Sequence, residues 1–188
     1  MTAVNKTKKF ASGVQVTPVS RKELRHQAGE IRKWLKLEDV DYLPVPQLLE
    51  VFQAAIEDFE FFICNSHDLP KNIFATYTPK GNCIVIKKDI YDMACRGNGF
   101  ARWTITHEIS HYILHRNQLS SLTRKTNNPH RFYEDSEWQA NTLACELLIP
   151  HYRLHGGMTV DEVSQRFGVT PAAATVVIKQ MGKHRRTQ

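Results

Sequence analysis

Residues 101–115, ARWTITHEISHYILH, are the stretch that most restricts how this chain can fold. The pattern predicts one helix, and the TIT and YI segments around its polar motif are uncharged, as in a helix that runs through a protein interior. The rest of the chain must then be built around it. His107 and His111 stand four residues apart, so on a helix they share a face and can converge on one cation. Glu108 lies beside them, where it can reach a water on that cation. This is the HExxH arrangement, in which two imidazoles bind zinc and the glutamate serves as general base. With nine histidines in the chain the four-letter match is weak alone. A plain helix with solvent-exposed histidines satisfies it too, so a second, independent element is required.

A catalytic zinc takes three protein ligands and leaves one position open. His115 offers a third imidazole, but about 12 Å of continuous helix separates residues 107 and 115. No glycine in HYILH lets the chain turn back, so His115 reads as a core, structural or supporting residue. The next helical segment, EDSEWQANTLACELL, supplies better candidates. Glu137 and Asn141 again stand four apart: the carboxylate of Glu137 can complete the site, and Asn141 can accept a hydrogen bond from a ligating imidazole. Glu134, one turn earlier, is the alternative third ligand, and either glutamate also fits as an acidic residue favoured by a helix N-terminus. Two histidines and a carboxylate suit Zn2+ but also accept manganese, iron or cobalt. A partner for a developing oxyanion is expected near the ligand helix, with Tyr133, Arg131 and His130 as candidates.

Around these motifs the pattern alternates in type. SRKELRHQAGEIRKWLKL has Ser20 and Glu23 at capping-box spacing and a helical apolar stripe. PQLLEVFQAAIEDF reads as a second helix with Pro46 at its first position. EFFICN, IFATYT and CIVIKK read as strands, the last two joined by a hairpin at Gly81-Asn82. Pro150 ends the ligand helix. VDEVSQRFGVTPAAATVVIKQMG reads as helix, turn, helix, with Gly168 as the cap and Thr170-Pro171 as the next start. Helices segregated around a small sheet give an α+β class.

Composition narrows the function classes. Hydrophobic residues make up 41% and charged residues 23%, the balance of a soluble globular protein. No apolar run approaches the ~20 residues of a membrane span, and no apolar segment follows the basic start as in a secretory signal. Four scattered cysteines without a CxxC pair fit free thiols in a cytoplasmic setting. The net charge of +6 sits largely at the two ends. The would-be recognition helix, PAAATVVIKQMG, offers mostly Ala and Val where base readout wants Arg, Asn or Gln, so direct DNA readout is not expected.

FARWTITHEISHYILH, followed some twenty residues on by EWQANTLACELLIP, resembles the ImmA/IrrE metallopeptidase family. The likeness reaches upstream through NCIVIKKDIYDMACRGNG and downstream to VDEVSQRFGVTPAAATVVIKQMG, so it covers most of residues 20–182. Departures are mild: Gln139 where an acidic residue is frequent, Ile149 where methionine is frequent, Ser110 where glycine is frequent. The resemblance implies His107, His111 and Glu137 as zinc ligands, Glu108 as catalytic base, and helix-turn-helix repressors as substrates, cleaved to release their target genes. It also implies a zincin-like domain over 20–150 with a small, mainly antiparallel sheet and a helix-turn-helix-like segment over 157–182, while the polar, aperiodic residues 1–19 read as a flexible basic tail and 183–188 as a second basic tail. The rival expectation is a non-proteolytic antirepressor or toxin-like protein of the same fold that works by binding its partner. The polar segment RNQLSSLTRKTNNPHRF is either a substrate-gating loop or a plain connection.

Overall fold

The structure, a computed structural model, describes residues 13–118 and 130–184. Helix α1 (Arg21–Trp34) opens on the expected capping box, Ser20 accepting the Glu23 N–H and Glu23 accepting the Ser20 N–H. Helix α2 (Val45–Ala55) carries Pro46 in its first turn. Strands β1 (Glu60–Cys64), β2 (Ala75–Thr78) and β3 (Cys83–Lys87) follow, then helices α3 (Lys88–Cys95), α4 (Gly99–His115), α5 (Ser136–Leu148), α6 (Val160–Phe167) and α7 (Pro171–His184). Seven helices around one three-stranded sheet, among the described residues, make this the α+β protein expected.

The sheet has the order β1-β3-β2. β2 and β3 form the predicted antiparallel hairpin, Thr78 opposite Cys83, with Asn82 taking the positive φ of +49° that its turn requires. β1 pairs with β3 in parallel, Phe62 opposite Val85, so the sheet is mixed rather than mainly antiparallel. The hairpin signal governs only β2 and β3. Two successive chain reversals leave β1 and β3 running the same way, and β3 inserts between the other two strands.

Helix α4 lies between the sheet and α5. Ile105, Ile109 and Tyr112 are fully buried, as are Phe59, Ile84 and Ile86 from the sheet side. Each such side chain contributes about 1.5–3 kcal/mol of burial. The Tyr112 ring meets Phe59 edge-on at 4.7 Å. Buried hydroxyls on α4 are satisfied within the helix, Thr106 donating to the Arg102 carbonyl and Ser110 to the Thr106 carbonyl. Asn98 caps α4 by accepting the Phe100 and Ala101 N–H groups, so the helix starts two residues before the apolar pattern does.

Two further clamps fix the frame. Arg25 of α1 donates twice, at 3.1 Å, to the buried Glu146 of α5. Arg102 of α4 is fully buried and donates to the carbonyls of Leu43, Phe167 and Gly168, with its guanidinium 3.7 Å from the Tyr42 ring centre. That joins the α6–α7 turn to α4. Gly168 caps α6 at φ +61°, where a Cβ would strike the Tyr42 ring at 2.2 Å.

Residues 13–19, expected within a flexible tail, are instead bound to the start of α5. Val14 and Ser136 exchange hydrogen bonds, and the Val16 and Val19 N–H groups donate to the carbonyls of Glu134 and Tyr133. A Cβ on Gly13 would come within 2.8 Å of the Glu137 nitrogen, so only glycine permits this approach. The remaining tail residues 1–12 and 185–188, and most of the expected gating loop (119–129), lie outside the described residues.

Candidate metal centre

Helices α4 and α5 pack against each other and bring three potential ligand side chains to one point. One ligand atom each from His107, His111 and Glu137 lies within 4.8 Å of the others. The Nε2 atoms of His107 and His111 are 3.0 Å apart, and each stands 3.3 Å from a different oxygen of the Glu137 carboxylate. The i, i+4 spacing on α4 supplies the two imidazoles; the first turn of α5, capped by Asp135 on the Trp138 N–H, supplies the carboxylate.

The donor set fits a divalent cation of borderline softness. His107 Nδ1 lies 3.1 Å from Asn141 Oδ1, which can only accept, so the His107 Nε2 lone pair is left pointing into the group. Asn141 thus stands where its spacing from Glu137 predicted. The histidine side chains retain 16% and 9% of their exposure and Glu137 retains 38%, so the site opens on the Glu137 side.

The electrostatics follow the geometry. When protonated, His107 and His111 each hydrogen-bond Glu137 through Nε2 and hold its carboxyl well below the usual carboxylate range. Burial draws His107 down, but the hydrogen bond to Glu137 and the Glu108 and Glu137 charges outweigh it and leave the imidazole raised. Burial pushes the Glu108 carboxyl up, against the pull of His107, His111 and the Tyr77 N–H. Glu108 Oε2 accepts that N–H at 2.6 Å, which turns the carboxylate toward β2. Sequence reasoning missed this contact, because a backbone N–H leaves no side-chain signature.

His115 is fully buried beyond His111, its Nδ1 3.1 Å from His111 Nδ1, and burial chiefly lowers its pKa to about 4. It is not among the converging group, in line with the helix-length argument. Glu134 is not among it either, since its carboxylate accepts the Arg131 N–H at 2.9 Å. Of the three oxyanion candidates, His130 Nε2 lies 2.9 Å from Asp135 Oδ2, and Arg131 donates to the Tyr133 hydroxyl. Next to Asn141 runs a groove of about 390 Å³ lined by Phe100, Trp103, Trp138 and Val176. At the far end of the chain, Val163 and Phe167 of α6 and Ala174 and Val177 of α7 are buried in the common core.

Residues 98–179 match the family model Peptidase_M78, the IrrE N-terminal-like domain. The match begins at the cap of α4 and contains His107, Glu108, His111 and Glu137. Among solved structures, the chain is similar to a Mycobacterium tuberculosis transcriptional regulator, with a TM-score of 0.57 at 15% identity. The superposition covers 81% of this chain and 45% of that one, so the chain spans less than half of the regulator's length. At this identity the likeness is one of fold. No curated protein matches the chain. No described helix is long and apolar enough to cross a membrane.

Proposed function

We propose, on the premise that residues 98–179 form an IrrE N-terminal-like domain of the M78 peptidase family, that this chain is a zinc-dependent endopeptidase. The observation that carries the reading is the convergence of His107, His111 and Glu137 beside the Glu108 carboxylate. In it, His107 Nε2, His111 Nε2 and the Glu137 carboxylate hold the cation. Bound there, Zn2+ supplies Lewis-acid polarisation of a peptide carbonyl and acidifies a water.

The chain's own groups supply the proton transfers and the positioning. Glu108 Oε2 is occupied by the Tyr77 N–H, which leaves Oε1 to take the proton of the attacking water and pass it to the leaving amine. Burial raises the basicity of that carboxylate, as a base working near neutral pH requires. β2 is an edge strand, and the Tyr77 N–H points out from it to Glu108. A substrate segment added to this edge in extended form runs past the base. The apolar groove beside Asn141 offers room for a large side chain of that segment.

The substrate class we infer is a helix-turn-helix repressor in the cytoplasm, in keeping with the ImmA/IrrE resemblance, and the consequence of cleavage is derepression. Burial of Val163, Phe167 and Val177 favours a packing role for α6 and α7 over base readout. The test is incubation of candidate repressors with the zinc-supplemented chain and with Glu108→Gln, followed by mass spectrometry of the products. Discrete fragments with the wild type and none with Glu108→Gln are expected. Derepression that survives Glu108→Gln without fragments would replace cleavage by sequestration.

A further inference from the structure

We infer that Gln139, acting through His115, is a positioning residue that sets the tautomer of His111 and so directs the His111 Nε2 lone pair toward the proposed cation site. This rests on the reading of His107, His111 and Glu137 as ligands and deepens it. The hydrogen bonds run inward from the N-terminal segment. Gln139 is fully buried, and its Nε2 lies 2.8 Å from the carbonyl oxygens of both Thr17 and Tyr133. An amide nitrogen carries two hydrogens and a carbonyl only accepts, so these two carbonyls fix the direction of the amide. Gln139 Oε1 then faces His115 Nε2 at 3.1 Å as an acceptor, and that nitrogen carries the hydrogen.

His115 is itself fully buried, and its two ring nitrogens face Gln139 Oε1 and His111 Nδ1. With its hydrogen on Nε2, its Nδ1 presents a lone pair to His111 Nδ1 at 3.1 Å. His111 Nδ1 must donate across that contact. Only Nε2 of His111 is left to offer a lone pair, and it is the nitrogen that faces His107 and Glu137. The reverse arrangement sets Gln139 Oε1 against a bare ring nitrogen, or rotates the amide and strips two carbonyls of their donor.

The outer end of the relay is the strap formed by residues 13–19. The Thr17 N–H donates to Gln118 Oε1 at 3.0 Å, and the Val16 and Val19 bonds to Glu134 and Tyr133 hold the strap beside α5. His107 needs no such relay, because Asn141 sets its tautomer directly. The two imidazoles are therefore oriented by two different residues of α5, Asn141 and Gln139.

Imidazole 15N NMR on the metal-free full-length chain reads the tautomers directly. We expect His115 with hydrogen on Nε2 and His111 with hydrogen on Nδ1. A predominant Nδ1–H form at His115 overturns the inference, whether or not the chain binds zinc. Gln139→Met removes the acceptor at similar volume; mixed tautomers and zinc binding weakened roughly 10–100-fold are expected, read by competition with a chromophoric chelator. Gln139→Asn keeps an amide one methylene shorter and is expected to lose less of the Nε2–H form and less affinity than Gln139→Met. Equal losses in both variants would mark Gln139 as a packing residue and overturn the inference. If Gln139→Met does not fold, the wild-type spectrum decides alone. Correct tautomers without zinc uptake would support the relay and sink the ligand reading; zinc uptake with the opposite tautomer would do the reverse.

Discussion

Glu134 ends the short 3-10 turn that precedes α5 and Glu137 stands in the first turn of α5, and the structure separates them by what each carboxylate touches. Glu137 faces both imidazoles at 3.3 Å, whereas Glu134 turns back to the Arg131 N–H. Glu137→Ala is therefore expected to abolish stoichiometric zinc uptake and Glu134→Ala to leave it intact, measured by elemental analysis after gel filtration. Loss in Glu134→Ala alone would move the third ligand by one turn. Asn141→Ala is expected to retain zinc but bind it roughly 10-fold more weakly, because the His107 ring loses the acceptor that orients it. His107, Glu108 and His111 were legible because one helix fixes their relative positions and a short motif records it. Glu137 and Asn141 were legible as a pair for the same reason, though the choice of glutamate was not. Gln139 and the Tyr77 N–H were illegible: their partners lie on other elements, and nothing local in the chain marks them.

Local signals placed the elements well wherever one turn or cap decided the outcome, as at Ser20, Asn82 and Gly168. They failed for β1, whose direction depends on where β3 inserts, and for residues 13–19, whose partners are more than a hundred positions away. The docking of α6 and α7 is another long-range matter. Residues 41–43, between α1 and α2, reach α6 directly through Arg166 and the α6–α7 turn indirectly through Arg102 of α4. Asp41 accepts from Arg153 and Arg166 at 2.7 Å, the Tyr42 ring covers Arg102, and the Leu43 carbonyl accepts from Arg102. Arg102→Met would leave three carbonyls short of a donor, at a cost of about 3–5 kcal/mol. A fall in Tm of about 10 °C is expected by calorimetry; a change near zero would show that α6 and α7 hold without this anchor. The Asp41 carboxyl sits below its ordinary value, chiefly through the hydrogen bond from Arg153 and then that from Arg166. A depressed carboxyl stabilises the fold above its unfolded pKa and loses that contribution as pH falls through the folded value. Asp41→Asn should therefore lower Tm at pH 7 and converge with the wild type as pH falls below the ordinary carboxylate range. Parallel curves across that range would show that the charge of Asp41 contributes nothing.

Across the whole molecule, the proposed ligands join two helices that are separated in sequence by residues 116–135, a connection of which 119–129 lie outside the described residues. A cation held by His107, His111 and Glu137 thus closes a loop between α4 and α5 and adds to the core contacts already linking them. A ligand that binds only the folded state stabilises it in proportion to the logarithm of its concentration over Kd, about 2.7 kcal/mol at a hundredfold excess. For a chain of this size that is a rise in Tm of roughly 5–10 °C. Zinc added to the metal-free wild type is expected to give that rise, EDTA to reverse it, and Glu137→Ala to show neither. The metal-free chain should still melt cooperatively, because Ile105, Ile109, Tyr112 and Leu143 are buried without help from the cation. A metal-free form that lacks a cooperative transition would make the cation a folding element rather than a late occupant of a finished site. A rise of equal size in Glu137→Ala would place the zinc elsewhere on the molecule and detach the stabilisation from the candidate centre.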